Sequence, residues 1–152
     1  MKFLGSVLSA LSLAAFAAAA PAPQGSTADT SVEVRYDTVY DDAGLSTLSL
    51  ACSDGENGLF TKGYATIGAL PNFPLVGGAP TIEGWNSPNC GACYRLTYKD
   101  TSINVIGVDV ARGGFVLSKA AMDQLTNGLA EQLGHVTATF EPAAPADCGF
   151  TE

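Results

Sequence analysis

The chain has one histidine, one tryptophan and only 7 lysines and arginines against 15 aspartates and glutamates in 152 residues. Each shortage excludes something. With a single imidazole, His135, and only one close cysteine pair, Cys90 and Cys93, the chain lacks the ligand spacing of the usual zinc sites. Ser-His-Asp chemistry would have to run through His135, which opens a strand after Gly134 and reads as a structural or exposed imidazole. A formal net charge of −8 argues against nucleic acid and anionic membrane as partners, since both repel an acidic surface. A neutral polymer is not repelled. After the N-terminal leader no segment approaches the ~20 apolar residues of a spanning helix. There is no Asn-x-Ser/Thr acceptor for N-glycosylation, because Asn86-Ser87 is followed by Pro88. Gly77-Gly78 lacks the following Lys-Ser/Thr of a phosphate-binding loop. No cofactor is expected.

What is present begins with an address. Lys2 precedes an apolar run over 3–16, and the alanines at 17–20 offer a small-residue cleavage site. Pro21 disfavours cleavage after Ala20, so the signal peptide is read as 1–19. Residues 20–31, rich in Pro, Ser and Thr, read as a flexible leader. Residues 32–150 are long enough for one domain, not two. Loss of Lys2 makes the exported chain more acidic still. The four cysteines, Cys52, Cys90, Cys93 and Cys148, all lie in that domain. An even count in an exported chain reads as a disulfide framework with three possible connectivities, while Cys90-Gly91-Ala92-Cys93 as a redox motif lacks a clear helix start.

Periodicity predicts mostly strand. Residues 32–37 alternate, with Val32, Val34 and Tyr36 on one face, and 45–52 reads as a second strand with Leu48 and Leu50 inward. Residues 53–89 are too rich in Gly and Pro for a long helix, yet carry too many apolar side chains for a linker. Short helical turns and tight loops on a sheet are expected there. Residues 94–98 and 103–110 form a hairpin around the 99–102 turn. Gly113-Gly114 breaks the chain, and Ser118 caps a short helix to about 125 with Leu117, Ala121 and Leu125 inward, ended by Asn127-Gly128. Residues 135–141 return as a strand, Val136, Ala138 and Phe140 on one face. The expected class is mainly β with one modest helix, a closed or nearly closed barrel.

The residues then become specific. Val34-Arg35-Tyr36-Asp37, Cys52-Ser53-Asp54-Gly55 with Asn57-Gly58-Leu59, Ala65-Thr66-Ile67-Gly68, Phe73 and Gly77-Gly78-Ala79-Pro80 resemble the cerato-platanin family. The block from Gly84-Trp85-Asn86-Ser87-Pro88-Asn89 to Cys90-Gly91-Ala92-Cys93 is similar too, as is Asp109 followed by Arg112-Gly113-Gly114-Phe115. The resemblance covers nearly everything from Val32 to Gly149. It implies a six-stranded double-psi β-barrel, like the first domain of expansins, with Cys52 paired to Cys90 and Cys93 to Cys148. It implies a secreted or wall-held, monomeric fungal protein that binds chitin or N-acetylglucosamine oligomers, elicits host defences through a host receptor, and includes allergens among its relatives. Hydrolysis is not a family trait; wall-loosening of the expansin type is ascribed to some members and is the alternative reading. Film formation at interfaces is a third, and would need a large exposed apolar patch.

The resemblance carries a binding role onto Asp109. Inverting hydrolysis needs a second carboxyl roughly 6.5–9.5 Å away, and Asp37, Asp54 and Glu83 are poor candidates from the sequence. Asp109 and Arg112 read either as an ion pair or turn-capping pair beside Gly113, or as a sugar-contacting pair in a shallow groove walled by the loops around Asn57 and Gly113. Tyr36 and Asp37 complete the candidate carbohydrate-binding set. Trp85 is expected to pack against a disulfide in its loop.

Overall fold

The computed structural model describes residues 30–151; the expected signal peptide and the leader as far as residue 29 lie outside the described residues. Six strands are present: β1 Thr30–Tyr36, β2 Val76–Ala79, β3 Cys93–Tyr98, β4 Thr101–Val110, β5 Gly114–Leu117 and β6 His135–Ala143. They close into a barrel in the order β1-β5-β2-β4-β3-β6, the six-stranded barrel expected. Two pairings are parallel, β1 with β5 and β2 with β4, while the β3–β4 hairpin and the contacts of β6 are antiparallel. Helices α1 Lys119–Thr126 and α2 Ala130–Leu133 follow β5, so the single expected helix is joined by a second short one.

The hydrophobic pattern explains the inside. Val34, Leu96, Val105, Ile106, Val108, Phe115 and Leu117 are buried. Tyr94, Phe115 and Phe140 meet edge to face at centroid distances of 5.1–6.1 Å, the geometry that aromatic quadrupoles favour. Helix α1 starts where the sequence predicts. Ser118 Oγ accepts from the Ala121 amide at 3.0 Å, and both oxygens of Asp41 accept from the Lys119 and Ala120 amides at 2.7 and 2.9 Å. A carboxylate at that end also suits the helix dipole. Asn127 stops the helix in the left-handed region at φ 54°.

Three expectations need correction. Residues 45–52 are not a strand: Ser46 caps a single 3-10 turn at Thr47–Ser49, and Leu48 points outward at 51% exposure. A serine whose side chain can take the Leu48 amide offers the backbone a local partner that competes with a sheet ladder. Residues 76–79 and 114–117, read as turn or break, are barrel strands. Gly77 explains the first, since a Cβ there would fall 2.2 Å from the Val116 carbonyl oxygen. The glycine marks the close approach of β2 and β5. Strand β1 also begins at Thr30 rather than 32.

The disulfides are Cys52–Cys90 and Cys93–Cys148, with Cα separations of 5.4 and 5.8 Å, as the resemblance implied. The first fastens both ends of the long irregular segment, and the second ties the tail to β3.

Candidate functional site

The centre of the candidate face is a bulge in β4. The pairing of β2 with β4 shifts between Gly77 and Gly78, from Gly77 opposite Gly107 to Gly78 opposite Asp109. Val108 is the extra residue. Its carbonyl accepts from the Cys52 amide at 3.3 Å. A bulge re-aims the next side chain, and Asp109 duly meets the loop before Cys52. Its Oδ1 accepts from the Ala51 and Val110 amides at 2.8 and 2.9 Å. Its Oδ2 accepts from the Tyr40 hydroxyl at 2.9 Å.

Tyr40 was not singled out by the sequence reading, yet it is the buried partner of that carboxylate. Burial first, then the Asp109 charge and hydrogen bond, then the Asp37 charge, hold its phenol well above the ordinary range. Asp37 caps the 3-10 turn Thr38–Asp41 that carries Tyr40, accepting from the Val39 amide at 2.9 Å. Tyr36, half-buried at the end of β1, stands opposite Leu117 of β5. Asp37 and Asp109 are therefore joined through Tyr40 and its turn, and Tyr36 is the strand residue that leads into it.

Arg112 lies just beyond the end of β4 and is exposed. Among the described residues no ion pair joins it to Asp109. It lines a shallow trough of about 350 Å³ with Pro80, Ile82, Glu83 and Val110. Gly113 beside it is exposed, in the left-handed region at φ 83°. Every other basic side chain among the described residues has a partner. Arg35 meets Glu33, Arg95 meets Glu141, and Lys119 meets Asp123 and Glu131. Lys62 reaches the Cys90 carbonyl and Lys99 lies over Tyr98. Among the described residues the guanidinium of Arg112 is uncommitted.

Asn57 belongs to the neighbouring loop. Its amide donates to Asn86 Oδ1 at 2.9 Å and its Nδ2 to the Asn86 carbonyl at 3.1 Å. Those bonds hold the 53–57 turn against the 83–89 segment, which lines a second open depression of about 310 Å³. Glu83 lines both depressions. Trp85 corrects the sequence expectation. It does not pack away against a disulfide but is 63% exposed, with Nε1 donating to Asp54 Oδ1 at 2.6 Å. A smaller depression of about 200 Å³ lies elsewhere, between the β3–β4 turn and the helices. His135 is exposed, as expected. Among the described residues no cluster of three or more His, Cys, Asp and Glu could hold a metal, and no helix is long and apolar enough to cross a membrane.

Comparison with known proteins bears on this architecture directly. The Cerato-platanin family model matches residues 32–150. A heat-stable 19 kDa antigen of Coccidioides posadasii is 50% identical over 151 residues, 99% of each chain. Allergen Asp f 15 of Aspergillus fumigatus is 53% identical over 133 residues, 87% of each. The crystal structure of cerato-platanin 1 from M. perniciosa superposes with a TM-score of 0.75 at 48% identity, covering 77% of this chain and 98% of that one. The solution structure of the fungal elicitor cerato-platanin gives 0.70 at 40% identity, over 77% of this chain and 96% of that one. With the family pattern covering residues 32–150 and the same barrel found in its relatives, the chain belongs to the cerato-platanin family, a family of fungal elicitors and allergens.

Proposed function

We propose that this protein is exported by a fungus, binds chitin or N-acetylglucosamine oligomers without cleaving them at the face around Asp109 and Arg112, and elicits defences in a host. The observation that carries the reading is the uncommitted guanidinium of Arg112 at the edge of an open trough. Its five N–H donors can serve several hydroxyl and acetamide oxygens at once. An uncharged polymer meets no penalty from the acidic surface.

Asp109 positions this face. A carboxylate offers about four lone-pair sites, and protein donors already use three of them. What remains leaves little room for the acid–base exchange of glycoside hydrolysis, which needs a carboxyl free to trade protons with substrate. Gly113 lets a sugar chain approach the backbone. Asn57 ties down the adjoining loop, while Asp37 caps the turn that carries Tyr40 and Tyr36 leads into it. Two disulfides suit an oxidising, extracellular setting. A shallow face of this kind gives affinities on the order of micromolar to millimolar.

Calorimetric titration of N-acetylglucosamine tetramer against wild type and Arg112→Ala tests the reading. Loss of about tenfold in affinity, ~1.4 kcal/mol, at an unchanged melting temperature is expected. Equal affinities would remove Arg112 and this face from the site. Release of soluble sugar from chitin or cellulose would replace the reading with an expansin-like, lytic one.

A further inference from the structure

Trp85 is the chain's single tryptophan and, among the described residues, its most exposed large apolar side chain. It is nevertheless anchored. The indole N–H is held by Asp54 Oδ1 at 2.6 Å. Asn86, the next residue, sits in the left-handed region at φ 57° and is bonded twice to Asn57. On the benzo side lies Gly55, at φ 82°, where a Cβ would stand 3.0 Å from indole Cζ2 and 2.8 Å from Asn86 Oδ1. Only glycine lets the 53–57 turn come that close without strain.

An exposed indole N–H has water to bond, so the Asp54 contact is not needed to satisfy a buried donor. What the contact does is fix the ring. Holding a side chain in one orientation costs rotamer entropy in the free protein, and it lowers the cost of binding when a partner meets that surface. The partner's chemistry follows from the surroundings. The ring offers a flat apolar face, and its rim is polar: Glu83, Asn86 and Asn89 line the same depression. A pyranose matches both demands, with axial C–H groups on its faces and hydroxyls at its edge.

We propose that Trp85 is the stacking platform for one pyranose unit, with Asp54 as its positioning residue, and that a bound β-linked oligomer runs from the Arg112 trough past Glu83 to the indole. The proposal rests on the glycan-binding reading above and adds the residue that supplies the apolar contact. It is carried by the coincidence of exposure, anchoring and a depression that shares Glu83 with the Arg112 trough.

Since no other tryptophan contributes, emission under tryptophan-selective excitation reports on Trp85 alone. Titration with N-acetylglucosamine tetramer, and in parallel with cellotetraose, should quench or shift that emission with the same midpoint that calorimetry gives. Trp85→Ala and Trp85→Leu should bind at least about tenfold more weakly, ~1.4 kcal/mol. Trp85→Phe, which keeps a stacking face, should stay within about threefold of wild type. Asp54→Ala should weaken binding by about threefold and add a fast component to the anisotropy decay of Trp85, a change that a merely structural Asp54 would not produce. Calorimetric binding with silent emission and an unaltered Trp85→Ala affinity would remove the platform and leave the glycan reading standing. Neither heat nor emission change with either oligomer at millimolar concentration would bring both down.

Discussion

The Tyr40 hydroxyl donates to Asp109 Oδ2 at 2.9 Å, a bond that spans 69 positions of sequence. It joins the turn after β1 to the bulge of β4, and Asp109 extends the link to the Ala51 amide. One carboxylate thus holds three separate pieces of backbone around the open face. Each donor it serves would be stranded by its removal.

Asp109→Ala should therefore cost about 3 kcal/mol of stability, because partly buried donors lose a charged acceptor. Tyr40→Phe removes one bond and should cost about 1.5 kcal/mol. Guanidinium unfolding with a common slope measures both. An Asp109→Ala protein as stable as wild type would show that the carboxylate anchors nothing.

The two buried phenols predict an alkaline signature. Tyr40 is raised by burial and by Asp109, and Tyr94 mainly by burial. A folded-state pKa above the unfolded one contributes stability that is complete below pH ~10 and is lost as pH climbs past it. Phenolate absorbance should then show two of the five tyrosines ionising late, together with loss of the fold. Five tyrosines titrating as one set near pH ~10 would contradict the burial of Tyr40 and Tyr94.

At the other end of the scale stands Asp123. Its Oδ2 accepts from Lys119 Nζ at 2.9 Å and its Oδ1 from the Ala130 amide at 3.1 Å, and the Lys119 bond followed by the Ala130 bond lowers its pKa. A lowered carboxylate stabilises the fold above the unfolded value of ~3.9 and loses that contribution as pH falls through the folded one. Asp123→Asn should melt earlier than wild type at pH 6, and the two should converge at pH 2. A constant gap across that range would point away from the charge.

Reduction tests the staples. In the chain-entropy picture each loop, with separations of 38 and 55 residues, contributes about 4 kcal/mol. Intact mass should show no free thiol, and a reducing agent should lower the melting temperature sharply. Two titratable thiols in the native protein would refute the pairing.

The hairpin, the α1 cap and the last strand were legible because their apolar residues keep a clean period and their turns carry the usual polar residues. Gly77 and Gly114 hid two strands. Glycine reads as a breaker, and only the approach of a neighbouring backbone shows that it is there for lack of a side chain. Leu48 misled because alternation over a few residues cannot see that Ser46 turns the chain locally. At the candidate face Asp109 was found by resemblance, whereas Tyr40 carried no signal: its partner is remote in sequence and a lone tyrosine in a strand-rich chain is ordinary. Trp85 was expected inside because tryptophan is usually buried; its anchor, Asp54, lies 31 positions away in sequence and gave no local sign of an exposed, held ring.

Strand β1 is the piece that closes the ring, lying between β5 and β6, and it starts at Thr30. A protease that cuts within 30–36 would strip a strand from its two neighbours and bare a row of unpaired amides and carbonyls on each, the surface on which chains stick to one another. Maturation of the N-terminus is thereby bounded on one side: residues 30–36 are the difference between a sealed cylinder and an aggregating sheet.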